Sequence, residues 1–231
     1  MPKILALDTS TDACSVALNL DGSIIEDFRV IPRQHTQQLL PMVEELLANA
    51  GISVSELDAI AFGRGPGSFA GIRIATGVTQ GLAYAADLPV LPVSTLEALA
   101  LTAHRKEGAN AVTAALDARM DEIYVAAYDL SSGMPEAILP EQVCAPGDLE
   151  LASGEHSQTY LAVGSGWRYL DDMSGHVRSV VSVSADEYYP SAQDMLLLAE
   201  KDFALGKAVS AAQALPVYLR DEIAWKKKGQ Q

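Results

Sequence analysis

Apolar residues recur along this chain in two alternating rhythms. Ile4–Leu7, Ala13–Leu18 and Ser23–Val30 have the short, apolar or alternating character of strands. Leu39, Leu40, Val43, Leu46, Leu47 and Ala50 then fall on one helical stripe, closed by Gly51 just past the helix end. Pro41 sits early in that stripe, so the helix is expected either to begin near Leu40 or to be kinked in its first turn. Strand Ala59–Phe62, helix Phe69–Ala86, strand Val90–Val93 and helix Ser94–Arg105 complete the first half. The second half opens on strands Val112–Leu116, Ile123–Tyr128 and near Glu136–Val143. It continues with a short helix near Asp148–Ala152, strands Tyr160–Val163 and Val177–Val183, and helix Ser191–Leu205.

The halves echo each other. One ungapped offset carries Ala6, Leu7, Asp8, Asp12, Val16 and Ala17 onto Ala115, Leu116, Asp117, Asp121, Val125 and Ala126. Each copy reads strand, acidic turn, strand, which makes internal duplication the expectation. Three strands followed by alternating helix and strand, twice over, predict two α/β lobes with mixed β-sheets. The polar break Lys106-Glu107-Gly108 puts their boundary at residues 1–106 and 107–231. A strand, acidic turn and strand opening a duplicated α/β chain is how the actin-like, ribonuclease H-like fold begins.

Composition narrows the function. With 231 residues, 49% hydrophobic and 20% charged, the chain can bury real cores and is not disordered. No apolar run reaches the roughly 20 residues that a membrane span needs. Met1-Pro2-Lys3-Ile4 leads straight into a strand, unlike a signal peptide, and Cys14 and Cys144 form no CxxC pair. A cytoplasmic protein is expected. The net charge of −14 repels a phosphate backbone. Lys226-Lys227-Lys228 reads as a solvated tail, so any work on RNA is expected to be indirect, through a partner.

The densest signal is the loop Gly63-Arg64-Gly65-Pro66-Gly67-Ser68, which leads into Phe69-Ala70-Gly71-Ile72-Arg73 between a strand and a helix. Its glycines allow positive φ and close approach to a neighbouring surface, and Ser68 is placed to cap the helix. Both an anion cradle and a tight strand-to-helix turn fit this pattern. No lysine precedes Ser68, as a Walker A loop requires, and the third glycine of a dinucleotide fingerprint is misplaced.

Gly63–Arg73 resembles the G-R-G-P-G-S-F-T-G-[LIV]-R signature of the bacterial TsaB (YeaZ) family. Leu7-Asp8-Thr9-Ser10, Gln34-His35-Thr36-Gln37, Val93-Ser94-Thr95-Leu96-Glu97 and Asp117-Ala118-Arg119 match in order. So do Val163-Gly164-Ser165-Gly166-Trp167 and Pro216-Val217-Tyr218-Leu219-Arg220, so the likeness spans essentially the whole chain. Ala70 replaces the signature threonine. The resemblance implies a subunit of the machinery that places threonylcarbamoyl on the adenosine beside the anticodon. Its paralogue TsaD carries the catalytic metal on a His-x-x-x-His motif, and TsaE, a P-loop ATPase, completes the set. The expected role is a non-catalytic dimerisation and scaffold subunit, pairing with TsaD, with TsaD and TsaE in a ternary complex, or with itself when alone. No cofactor is expected of this subunit, although ATP fits the complex.

The paralogue's histidines fall on Thr95 and Leu99 here, and His35, His104, His156 and His176 offer no i, i+4 pair. A peptidase reading rests on Ser68, which lies outside a Gly-x-Ser-x-Gly elbow. For a stand-alone ATPase, Asp8, Thr9, Ser10 and Asp117 occupy the phosphate-facing turns. The second turn, Ala118-Arg119-Met120-Asp121, lacks the glycine and Thr/Ser of a working loop, so the cleft is read as vestigial. Gly164-Ser165-Gly166 fits either a turn or the edge of an adenosine site. The glycines of helix Phe69–Ala86 suggest close approach by a partner. Leu39, Val43, Leu46, Leu47, Phe69, Ile72, Arg73, Ala75, Thr76 and Leu82 are the expected interface.

Overall fold

The computed structural model describes residues 1–152 and 159–220. Its first sheet contains β1 (Ile4–Asp8), β2 (Ala13–Leu20), β3 (Ser23–Val30), β4 (Ala59–Gly65) and β5 (Val90–Ser94), in the order β3-β2-β1-β4-β5. The first three strands run antiparallel, with Ala6 opposite Ala17 and Leu18 opposite Ile25; β4 and β5 lie parallel to β1. The second sheet contains β6 (Ala111–Arg119), β7 (Glu122–Asp129), β8 (Glu136–Cys144), β9 (Tyr160–Val163) and β10 (Val181–Val183). Read from β8, its order is β8-β7-β6-β9-β10, the first sheet's order over again, with the same pattern of directions. The duplicated α/β architecture is therefore present.

Helices α1 (His35–Ala50) and α2 (Phe69–Ala86) cover one face of the first sheet. They meet Leu5, Leu7, Val16 and Leu18, whereas Ile4, Ala6 and Ala17 point to the opposite face. Cover on both faces explains why β1 is apolar throughout rather than alternating. The opposite face is covered by α5 (Ala192–Ala204), from the far end of the chain. In turn α3 (Thr95–Glu107), from the first half, packs on β6, β7 and β9. Each half thus lends a helix to the other half's sheet, and one core runs through both.

Polar contacts hold this exchange. Arg105 on α3 donates to both oxygens of Asp194 on α5 at 2.8 and 2.9 Å, and Thr102 Oγ1 donates to Asp194 Oδ2 at 2.7 Å. Asp194 is buried, so its satisfied oxygens avoid the cost of an unpaired buried charge. Ser191 makes no capping bond of its own at the start of α5. Instead Glu26 Oε1 on β3 accepts from Ser191 Oγ and Gln193 N, and Ser15 Oγ accepts from Ala192 N.

Three local expectations are corrected. Helix α1 begins at His35, and Pro41 lies inside it with its ring at the solvent face. His35 Nε2 lies 3.2 Å from the Ala13 carbonyl and ties the first turn to β2. Residues 149–152 form no helix: a single 3₁₀ turn, Pro146–Asp148, precedes Leu149 and Leu151. Both leucines are buried in one cluster, a period of two rather than 3.6. The strand expected over Val177–Val183 is instead α4 (Gly175–Val180) followed by β10, because Ser174 Oγ caps Val177 N at 3.2 Å.

Candidate functional site

The glycine loop closes on its own chain. Ser68 N–H donates to the Ser10 carbonyl at 2.7 Å, and Thr9 Oγ1 donates to the Gly71 carbonyl at 2.6 Å. A Cβ at Gly71 would stand 1.9 Å from the Thr9 carbonyl oxygen, and one at Gly67 2.5 Å from that of Ser10. At Gly63 it would meet Asp8 Oδ2 at 1.8 Å. The surface these glycines approach is thus the turn between β1 and β2. Ser68 caps α2 as expected, its Oγ accepting from Gly71 N at 3.3 Å.

Asp8, Thr9 and Ser10 are buried beneath this cover. Asp8 Oδ1 accepts from Ser10 N–H at 2.9 Å and Ser10 Oγ at 2.8 Å, whereas Oδ2 has no partner among the described residues. Burial pushes the Asp8 carboxyl up to about 6, against the lowering effect of the two Ser10 hydrogen bonds.

Asp117, its counterpart, is only partly buried. Its N–H donates to Ser165 Oγ at 3.1 Å, Oδ1 accepts from Arg119 N–H at 2.8 Å, and Oδ2 lies 3.6 Å from Arg168 and 3.8 Å from Arg119. The turn beyond it holds Arg119, Met120 and Asp121 at φ 63°, 57° and 59°, left-handed conformations that non-glycine residues seldom adopt. Gly164 and Gly166 press on β6: a Cβ would stand 2.3 Å from the Ala115 carbonyl oxygen and 2.8 Å from Ala115 Cβ, respectively.

A strap joins the glycine loop to the second turn. Val209 bridges Val90, Gln80 Nε2 donates to the Ala214 carbonyl at 2.8 Å, and Val217 N–H donates to the Arg64 carbonyl at 2.8 Å. Arg220 then donates to the Ala118 and Arg119 carbonyls and pairs with Glu122. On the way, Tyr218 OH accepts from Arg73 Nε at 2.9 Å, with the Arg73 guanidinium 3.5 Å above the Phe69 ring. In the sequence Pro216–Arg220 stands out only as a family motif; one tyrosine and one arginine two positions apart carry no local signal of a strap.

The residues expected at an interface divide in two. Leu39, Val43, Leu46, Leu47, Ile72, Ala75 and Thr76 are buried within the chain's own lobe, and Leu82 is half-buried there. The single sheet face beneath α1 and α2 takes both apolar stripes. Phe69 and Arg73 are exposed, and they continue into an open face of α2 formed by Ala70, Gly77, Gly81, Tyr84 and Ala85. No described residue lies within 4 Å of a Cβ built at Gly77 or Gly81.

Among the described residues, no group of three or more His, Cys, Asp or Glu is placed to hold a metal ion. Thr95 and Leu99 are buried on α3. His35, His104 and His176 each lie within hydrogen-bond distance of a backbone carbonyl, whereas His156 and Lys226-Lys227-Lys228 lie outside the described residues. No helix among the described residues is long and apolar enough to cross a membrane.

Two sheets of one order, each opened by a strand–acidic turn–strand hairpin, define a duplicated actin-like α/β protein. The family model described as TsaD, tRNA N6-adenosine threonylcarbamoyltransferase, matches residues 29–228. The tRNA threonylcarbamoyladenosine biosynthesis protein TsaB of Escherichia coli is 45% identical over 226 residues, 97% of each chain. The TsaB of Haemophilus influenzae is 41% identical, over 97% of this chain and 96% of that one. The solved YeaZ of Pseudomonas aeruginosa superposes with a TM-score of 0.88 at 48% identity, over 95% of this chain and all of that one. The chain belongs to the TsaB (YeaZ) family.

Proposed function

We propose that this protein serves tRNA threonylcarbamoyladenosine biosynthesis as a non-catalytic scaffold. It pairs with TsaD through the open face of α2, works with TsaD and TsaE in one complex, and forms a homodimer when alone. The observation that carries this reading is the pair Gly77 and Gly81, exposed inside a helix with no described residue of their own fold against them. Each costs about 1 kcal/mol relative to alanine in a helix interior, and a neighbouring helix drawn in by their small size offsets that cost. Phe69, Arg73 and Tyr84 flank the glycines with residue types common at the centres of interfaces. The tRNA is then reached through the partner, in keeping with a net charge of −14. This subunit needs no cofactor of its own; ATP serves the complex, and the work is done in the cytoplasm.

Sedimentation of the chain mixed with its TsaD counterpart tests the reading. The double variant Gly77→Leu, Gly81→Leu should melt no lower than the parent, because both side chains enter open space and leucine favours the helix. It should nevertheless pair at least about tenfold more weakly, a loss of about 1.4 kcal/mol. Unchanged pairing would refute the α2 face as the contact. The rival reading, a stand-alone ATPase, draws on the unpartnered Asp8 oxygen and requires ATP turnover by the lone chain.

A further inference from the structure

Where the ends of β4 and β5 meet the start of β8, Arg64, Ser94, Glu97, Lys201, Asp202 and Lys207 line a cavity of about 240 Å³. Arg64 is paired with Glu141 at 3.1 Å, and Lys207 with Asp202 at 2.7 Å. Glu97 and Lys201 remain. Among the described residues, neither side chain makes a hydrogen bond or an ion pair, to each other or to anything else. Glu97 is the third residue of α3, yet Ser94 Oγ, which accepts its N–H at 3.1 Å, is turned toward Glu141 rather than the Glu97 carboxylate. Burial and the nearby Glu141 and Asp202 hold the Glu97 carboxyl above its usual range, against Arg64 and Lys201. The buried Tyr128 hydroxyl likewise has no hydrogen-bond partner among the described residues. Glu97 is half-buried and Lys201 exposed at the mouth, and a carboxylate and an ammonium that line one cleft without pairing are both free to meet a ligand.

We propose that this cavity binds a small zwitterion, an α-amino acid or close analogue, its ammonium on Glu97 and its carboxylate on Lys201. A simple anion would meet the repulsion of Glu97, and a simple cation that of Lys201 and Arg64. A molecule bearing both charges a few bonds apart satisfies the two unpaired groups at once. The volume lies below the roughly 300–1,000 Å³ of drug-sized pockets, so the occupant is small. The proposal does not depend on pairing with TsaD.

Calorimetric titration of the purified full-length chain with glycine, alanine, serine and their larger homologues tests it, with acetate and methylammonium as single-charge controls. At least one amino acid should bind about tenfold or more tighter than either control. Glu97→Gln and Lys201→Ala should each weaken that binding about tenfold or more, with unchanged melting. In the parent chain, NMR titration should move the amide signals of residues 94–97 and 198–207, which keeps the proposal testable if a variant fails to fold. No binding up to about 10 mM, equal binding of acetate, unchanged affinity in both variants, or shifts confined to other residues would each overturn it.

Discussion

The two hairpin turns occupy equivalent places in the duplicated fold, and the chain treats them in opposite ways. Four residues, Thr9–Asp12, separate β1 from β2, and the glycine loop presses this turn inward until Asp8 is sealed. Two residues, Met120 and Asp121, separate β6 from β7, with a register shift between Asp117 and Arg119, and Asp117 stays within reach of two arginines. Where the first turn accepts an unsatisfied buried oxygen, the second accepts three left-handed residues. Duplication preserved the path of the chain while the chemistry at its two turns diverged. Apart from Asp8 Oδ2, the polar groups of both turns are engaged within the chain, whereas the α2 face is open.

The sharpest way to break this contrast is Gly71→Ala. Its new Cβ would fall 1.9 Å from the Thr9 carbonyl, so α2 must shift away from the first turn. A loss of about 3 kcal/mol in chemical denaturation is expected, the upper range of overpacking; a loss under about 1 kcal/mol would show the cover to be loose.

Asp8→Asn acts in the other direction and depends on pH. Raised from 3.8 to about 6 in the fold, Asp8 binds more protons folded than unfolded within that window. Its contribution is therefore fully present below 3.8 and is lost as pH climbs through about 6. Near neutral pH the ionised carboxylate costs about 2–3 kcal/mol, which asparagine removes. The variant should be the more stable at pH 7 and should flatten the parent's decline in stability between pH 4 and 6. Parallel melting curves across that range would show that Asp8 is not desolvated as described.

The smallest expected effect is Met120→Gly in the second turn. Glycine relieves a left-handed strain of about 1–2 kcal/mol, and its greater freedom when unfolded offsets about half of this. A gain of about 0.5 kcal/mol is expected, so adding a glycine helps at one turn while removing one harms the other. A clear loss of stability would mean that Met120 is held by its contact with Arg220 rather than strained.

Much of the fold was legible in the sequence because its strands carry local signals. The apolar run of β1 and the caps Ser68 and Gly51 report on residues near one another in the chain, and the repeat shows the same local pattern a second time. What could not be read was who covers whom. The stripes of α1 and α2 announce burial, but the same pattern serves a sheet beneath or a helix opposite; the sheet beneath took Leu46 and Ala75. Gly77 and Gly81 were visible as anomalies, yet only the empty space beside them separates an open face from an internal contact. The unpaired Glu97 and Lys201 lie far apart in sequence, and no local pattern brings them to one cavity.

The exchanged helices carry a consequence for synthesis. Until residues 192–204 have left the ribosome, Ile4, Ala6 and Ala17 on β1 and β2 lack the helix that covers their face. The first half therefore emerges as a sheet with one side only partly covered, and it waits through most of translation for the helix that completes it. A nascent chain of this kind has reason to depend on chaperones early, and once finished to melt in a single step.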